Sequence, residues 1–173
     1  MSDSSKLSRM ALESGAIRLS PEKPFTWASG YKMPIYNDNR LLLGKAEYRS
    51  FIAQIFAKYS EASVDNVDVI AGTATAGIPH ATTLADRLSK PLIYVRATTK
   101  SHGMGNQIEG PLVPGQKVLL IEDLISTGGS AINAVNAIRE VGGIVEHCFC
   151  IFTYGFIEAR QRFDKINCQY HSI

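Results

Sequence analysis

Cysteine is scarce in this chain, tryptophan occurs once, and no apolar run is long enough to cross a bilayer. Each scarcity excludes something. Cys148, Cys150 and Cys168 are odd in number and include no CxxC pair, which argues against a disulfide scaffold and favours a reduced, cytoplasmic setting. The opening "MSDSSKLSRM" lacks the basic-then-apolar leader of a secretory signal. Net charge is only +2, with Lys and Arg dispersed, so nucleic acid is not the expected main partner. There is no HExxH, and "HCFC" (147–150) lies in a strand pattern that reads as packing rather than a metal site. Two familiar phosphate motifs also fail. "GTATAGIPH" has glycines at the Walker A interval, but Ile78 and Pro79 stand where Lys and Ser/Thr are required. "GMGNQIEG" lacks the third glycine of a dinucleotide fingerprint and joins no strand to a helix.

What remains is the composition of an ordinary globular protein, 45% apolar and 20% charged over 173 residues. It implies a single domain, 1–173, without repeats or an interdomain linker. Strand-like runs "VDVIAG" (67–72), "PLIYVR" (91–96), "KVLLIED" (117–123) and "IVEHCFCIF" (144–152) alternate with helical periodicities over 45–59, 77–88 and 129–141. Gly142 and Gly143 stop the last helix. "INCQYHS" reads as a final edge strand. The pattern predicts an α/β fold, a central, mainly parallel sheet flanked by helices. Two stretches break the alternation. Residues 18–40 are rich in aromatics, Pro, Asn and Gly and read as an irregular hood or short hairpin. Residues 97–116 lie between core strands with little apolar content, as a functional lid would.

The chemistry concentrates in "LIEDLISTGGSA" (120–131). A buried run ends in Glu122 and Asp123, followed by Leu124, Ile125 and a turn of Ser126, Thr127, Gly128, Gly129 and Ser130. In an open parallel sheet this is the carboxyl end of a strand, where ligands bind. Glycines and small hydroxyl residues let backbone N–H groups converge, and the following helix adds its positive end, so the turn suits a phosphate. Ionised carboxylates only accept hydrogen bonds, so they suit sugar hydroxyls instead. Together the two ends ask for a ribose 5-phosphate. The plainer reading is a capped helix beside two solvated acids.

Four apolar residues, an acidic pair, two apolar residues and Ser-Thr-Gly-Gly-Ser resemble the phosphoribosyl-diphosphate motif of type I phosphoribosyltransferases. The resemblance implies that fold, with a small N-terminal hood and a flexible catalytic loop. Glu122 and Asp123 would then contact the ribose hydroxyls, and Ser126 to Ser130 would wrap the 5-phosphate.

A second motif, Arg-x-x-x-Lys-x-His-Gly-x-Gly from Arg96 onward, resembles the catalytic loop of the orotate phosphoribosyltransferase family. By that resemblance Arg96, Lys100 and His102 meet the diphosphate. Lys100, His102 and Asp123 are the catalytic candidates, and Lys100 reaches across a homodimer interface. "FTWASGYKMPIYNDNR" (25–40) is similar to the family's hood, and "AGTATAGIPHA" (71–81) to its diphosphate loop. Ser126 would contact orotate. Mg2+ is expected as cofactor, carried by substrate oxygens and water, with no protein metal ligand. The resemblance implies conversion of orotate and phosphoribosyl diphosphate to orotidine 5′-phosphate, in pyrimidine biosynthesis. The alternatives are a purine phosphoribosyltransferase and a non-catalytic sensor of phosphoribosyl diphosphate.

Several positions depart from the family pattern. Ala28, Ala76 and Ala97 stand where some members carry lysine. "FTYGF" (152–156) has no arginine where certain members bind orotate with one, and Arg160 is several residues away. Family members continue into a further helical segment, so a truncated C-terminus is expected here.

Overall fold

The computed structural model describes residues 2–27, 30–64, 66–98 and 107–173. Ala28, Lys100 and His102 lie outside the described residues. The chain divides into two compact units, Met1–Arg49 and Ser50–Ile173.

The first unit opens with α1 (Asp3–Glu13), capped by the Ser2 hydroxyl, which accepts from the Ser5 N–H. Leu7 and Ala11, one turn apart, are its buried residues. The predicted hood resolves into two small antiparallel ladders. β1 (Ile17–Leu19), β2 (Phe25–Thr26), β3 (Lys32–Met33) and β4 (Ile35–Asn37) follow in order, with β1 paired to β4 and β2 to β3. The Arg18 guanidinium lies over the Phe25 and Tyr36 rings, at 5.6 and 5.1 Å from their centroids. A 3-10 turn over Asn39–Gly44 leads into α2 (Ala46–Ser63), and the division between units falls within that helix.

The second unit is built on a six-stranded sheet. Its elements are β5 (Val69–Thr73), α3 (Gly77–Leu88), β6 (Leu92–Val95), β7 (Ile108–Glu109), β8 (Lys117–Ile125), α4 (Gly129–Glu140), β9 (Ile144–Thr153), α5 (Ile157–Lys165) and β10 (Gln169–Ser172). Strand order is β10-β9-β8-β5-β6-β7, parallel throughout except for the β6–β7 edge. The expected parallel α/β architecture is present.

The chain moves from β5 outward to β6 and then returns to place β8 on the other side of β5. Connections diverge there, which opens a crevice at the carboxyl ends of β5 and β8. β5 is buried at all five positions, as a central strand covered on both faces must be. Val69, Ala71, Val118 and Leu120 contribute to the core that receives Ala131, Val135 and Ile138 of α4 and Phe163 of α5. Alternation along β8 carries Glu122 onto that same covered face.

Three elements escaped the sequence patterns. α1 and α5 each bury only two residues, Leu7 with Ala11 and Ala159 with Phe163. β7 falls inside the 97–116 stretch that the sequence offers as a lid. Ile108 pairs with Val95 and Glu109 with Tyr94. At the root, the Arg96 N–H donates to the Gln107 carbonyl at 2.9 Å, and Gln107 Nε2 donates to the Arg96 carbonyl at 2.7 Å.

Arg139, in the last turn of α4, ties the far end of that helix. Its guanidinium donates to the carbonyls of Val145, Ile166 and Asn167, which lie on β9 and on the approach to β10. One planar fork thus satisfies three backbone acceptors.

Candidate active site

β5 ends at Thr73 and β8 runs on past Ile121, its register partner being Gly72. The next residue on each strand brings Thr73 beside Glu122. The Thr73 hydroxyl donates to Glu122 Oε1 at 2.6 Å. The Asp123 N–H donates to the same oxygen at 3.1 Å, and Ser130 Oγ donates to Oε2 at 3.3 Å. Glu122 therefore joins the end of β5, its own strand and the first turn of α4. It is 6% exposed.

Burial pushes the Glu122 carboxyl up to about 7, helped by the neighbouring Asp123 charge and opposed by the Thr73 hydrogen bond. The folded carboxyl thus keeps its proton to higher pH than the unfolded one, whose ordinary value is 4.5. The unfolded state binds fewer protons between those values, so this group's contribution to stability falls as pH rises through the window. The ionised carboxylate costs on the order of 3 kcal/mol above it. A Glu122→Gln variant keeps the shape and loses the charge. Its melting temperature relative to the parent is expected to climb by several degrees between pH 5 and pH 8, checked by thermal unfolding of the ligand-free protein. A constant difference across that range would show that the buried charge carries no such cost.

The turn after the acids is shaped by Gly128. It sits at φ +81°, and a Cβ there would meet the Phe163 ring at 2.9 Å, so both conformation and space demand glycine. Gly128 is also the N-cap of α4, and among the described residues no side-chain cap hydrogen bond is made there. The first-turn N–H groups are left for another acceptor, and the helix dipole favours an anion. Ser126, Thr127, Leu124 and Asp123 are half-buried, Gly128 and Ile125 are buried, and Ser130 is exposed.

On the β5 side, the loop from Ala74 to Ala76 includes a cis Ala74–Thr75 peptide bond and leads into α3. Gly77 begins that helix where a Cβ would lie 2.5 Å from both the Ile121 carbonyl oxygen and Thr73 Oγ1. Only glycine lets α3 start this close to the two strands. Beside the loop is a cleft of about 220 Å³ lined by Thr73, Ala74, Arg96, Gln107, Ser130 and Asn133, among others. Arg96 at its rim pairs with Glu109 at 3.4 Å.

Most of the stretch predicted from sequence thus converges on the crevice: Glu122, Asp123, the turn Ser126–Ser130, and Arg96 across the cleft. Lys100 and His102 lie outside the described residues. Thr73 was missed. The available signal was a lone hydroxyl residue closing an otherwise apolar buried strand, inside the 71–81 stretch that resembles a diphosphate loop.

A phosphoribosyl transferase domain model matches residues 42–170. The orotate phosphoribosyltransferase of Listeria innocua serovar 6a is 52% identical over 167 residues, 96% of this chain and 80% of that protein. The chain belongs to the orotate phosphoribosyltransferase family. The crystal structure of orotate phosphoribosyltransferase from Aeropyrum pernix superposes with a TM-score of 0.84 at 29% identity, over 96% of this chain and 91% of that one. The Mycobacterium tuberculosis H37Rv orotate phosphoribosyltransferase, solved in complex with 5-phospho-alpha-D-ribosyl 1-diphosphate, gives a TM-score of 0.74 at 25% identity, covering 99% and 94%. The departures at Ala28, Ala76 and Ala97, and the missing arginine in "FTYGF", are therefore variations carried by an orotate phosphoribosyltransferase family member.

Proposed function

We propose that the chain transfers the phosphoribosyl group of phosphoribosyl diphosphate to orotate, giving orotidine 5′-phosphate and diphosphate, as a cytoplasmic homodimer. The observation that carries this reading is the crevice between β5 and β8. It sets an acidic pair beside a helix N-terminus whose N-cap is a glycine without a side-chain cap among the described residues. That pairing suits one ligand with hydroxyls at one end and a phosphate at the other.

In this reading Asp123 and Glu122 orient the ribose and favour positive charge developing at C1′. Backbone N–H groups from Ser126 to Ser130, with the hydroxyls of Ser126, Thr127 and Ser130, hold the 5-phosphate. Ser126 also meets the base. Diphosphate departs as the orotate ring nitrogen, already without its proton, attacks C1′. Arg96, Lys100 and His102 take the departing negative charge, with Lys100 supplied across the dimer interface. Closure of the loop predicted over residues 97–116 would exclude water that could otherwise capture the sugar cation.

Mg2+ takes hard oxygen donors and keeps several waters. Among the described residues no group of three His, Cys, Asp or Glu side chains could hold a metal ion. Both Glu122 oxygens already accept hydrogen bonds from the protein. Mg2+ would be held by diphosphate and ribose oxygens with water, and no side chain is assigned to it. When bound, it neutralises part of the diphosphate charge.

Among the described residues no helix is long and apolar enough to cross a membrane. The three cysteines are unpaired and buried, and burial pushes their thiols up, which fits a reduced setting.

The test follows orotate's ultraviolet absorbance with phosphoribosyl diphosphate and Mg2+, beside a panel of purine bases. Loss of orotate absorbance is expected. Turnover of hypoxanthine or adenine without loss of orotate would replace orotate by a purine. Binding of phosphoribosyl diphosphate without any turnover would make the protein a sensor.

A further inference from the structure

Thr73 is not part of the acid-pair motif or of the phosphate turn, yet it touches the centre of both. It is 2% exposed and is the last residue of β5. Its 2.6 Å hydrogen bond to Glu122 is the shortest that carboxylate receives, against 3.1 Å from the Asp123 N–H and 3.3 Å from Ser130. Thr73 and the loop that follows it from Ala74 lie in the 71–81 stretch that resembles a diphosphate site, and Ser130 lies in the turn read as the 5-phosphate site. Glu122 therefore bridges two regions that contact opposite ends of the proposed donor substrate, and Thr73 is the link on the diphosphate side. Gly77 gives independent support: the start of α3 is packed against Thr73 Oγ1 so closely that a single Cβ would collide with it at 2.5 Å. The hydroxyl is confined between α3 and β8.

We propose that Thr73 is a positioning residue for phosphoribosyl transfer, whose hydroxyl fixes Glu122 and so holds the loop from Ala74 in register with the turn that opens α4. The inference rests on the phosphoribosyl-diphosphate reading of the crevice. Thr73 need not touch substrate; it acts through Glu122. A rigid bridge of this kind matters because catalytic groups a fraction of an ångström out of place lose much of their effect. Valine has almost the shape of threonine and lacks the donor, whereas serine keeps the donor and lacks a methyl group. The two substitutions separate hydrogen bonding from packing.

The experiment measures Thr73→Val and Thr73→Ser by orotate turnover, and by calorimetric titration with phosphoribosyl diphosphate and Mg2+ without base. In Thr73→Val, kcat/KM for phosphoribosyl diphosphate is expected to fall about 10- to 100-fold, the loss expected for one hydrogen bond to a charged group. The KM for orotate should stay within about twofold, because the base lies beyond the bridge. Thr73→Ser should recover to within a few-fold of the parent. The acid limb of the kcat/KM profile should move to higher pH in the valine variant alone, because Glu122 loses the donor that stabilises its ionised form. An unchanged kcat/KM in Thr73→Val overturns the proposal. So does equal damage in the serine variant, which would assign the effect to packing. Failure of the wider reading looks different: the parent protein would then not consume orotate. Weaker phosphoribosyl-diphosphate binding in the valine variant, restored by serine, would still uphold the bridge in that case.

Discussion

Lys100→Ala is expected to lower kcat by about 10²- to 10³-fold while phosphoribosyl diphosphate still binds within a few-fold of the parent affinity. The magnitude is that of removing one group aimed at charge that develops only in the transition state. The donor substrate arrives with its diphosphate charge spread and solvated. As the bond to C1′ breaks, that charge concentrates on the leaving group, and a lysine closed over it then counts most. Binding suffers less because the interaction strengthens only along the reaction path. The segment carrying Lys100 leaves β6 at Arg96 and is back at Gln107, two residues joined by a pair of hydrogen bonds. Pre-steady-state turnover and calorimetric binding are the measurements. A near-normal rate in the variant would remove Lys100 from the chemistry.

Asp123→Asn is expected to damage both sides of the reaction, with kcat/KM for phosphoribosyl diphosphate lower by about 10²- to 10³-fold and weaker binding as well. A neutral amide accepts hydroxyl donors less strongly than a carboxylate and offers nothing to a sugar acquiring positive charge. The two variants also complement. In a dimer whose sites each take Asp123 from one subunit and Lys100 from its partner, a Lys100→Ala chain paired with an Asp123→Asn chain rebuilds one intact site. Random mixing gives half mixed dimers with one good site in two, so roughly a quarter of the parent activity should return. No recovery from dimers shown to have exchanged subunits would confine Lys100 to its own subunit's site.

Much of this arrangement is legible in the chain because its main signals are local. Val69–Thr73, Leu92–Val95, Lys117–Ile125 and Ile144–Thr153 are apolar runs bounded by turns, and only strands of a covered sheet read that way. The turn from Ser126 to Ser130 is contiguous, so its glycines and hydroxyls are seen together. The illegible parts depend on contacts between distant segments. Thr73 meets Glu122 across 49 residues of sequence, and nothing near either one announces the pairing. β7 is two residues long and exists because its backbone completes β6. α5 is largely charged and carries only Ala159 and Phe163 inward, too sparse a stripe for periodicity to detect. In the hood, the hairpin signal was readable but the choice of β1 with β4 and β2 with β3 was not, since the β1–β4 pairing joins residues up to 20 apart in sequence, Ile17 with Asn37.

The Arg139 tie has a mechanical meaning at the opposite end of its helix. α4 holds 12 residues, which makes it a rod roughly 18 Å long. Its N-terminal end follows the turn from Ser126 to Gly128, the proposed phosphate site, and its C-terminal end is pinned by Arg139 to three carbonyls near the last strands. A tilt of about 10° about that pin would carry the turn through roughly 3 Å, more than the tolerance of a preorganised site. The guanidinium works as a fulcrum. The sheet's outermost edge thereby governs the aim of its most central loop, and a change near β10 would be felt as lost affinity for the ligand phosphate before it was seen as unfolding.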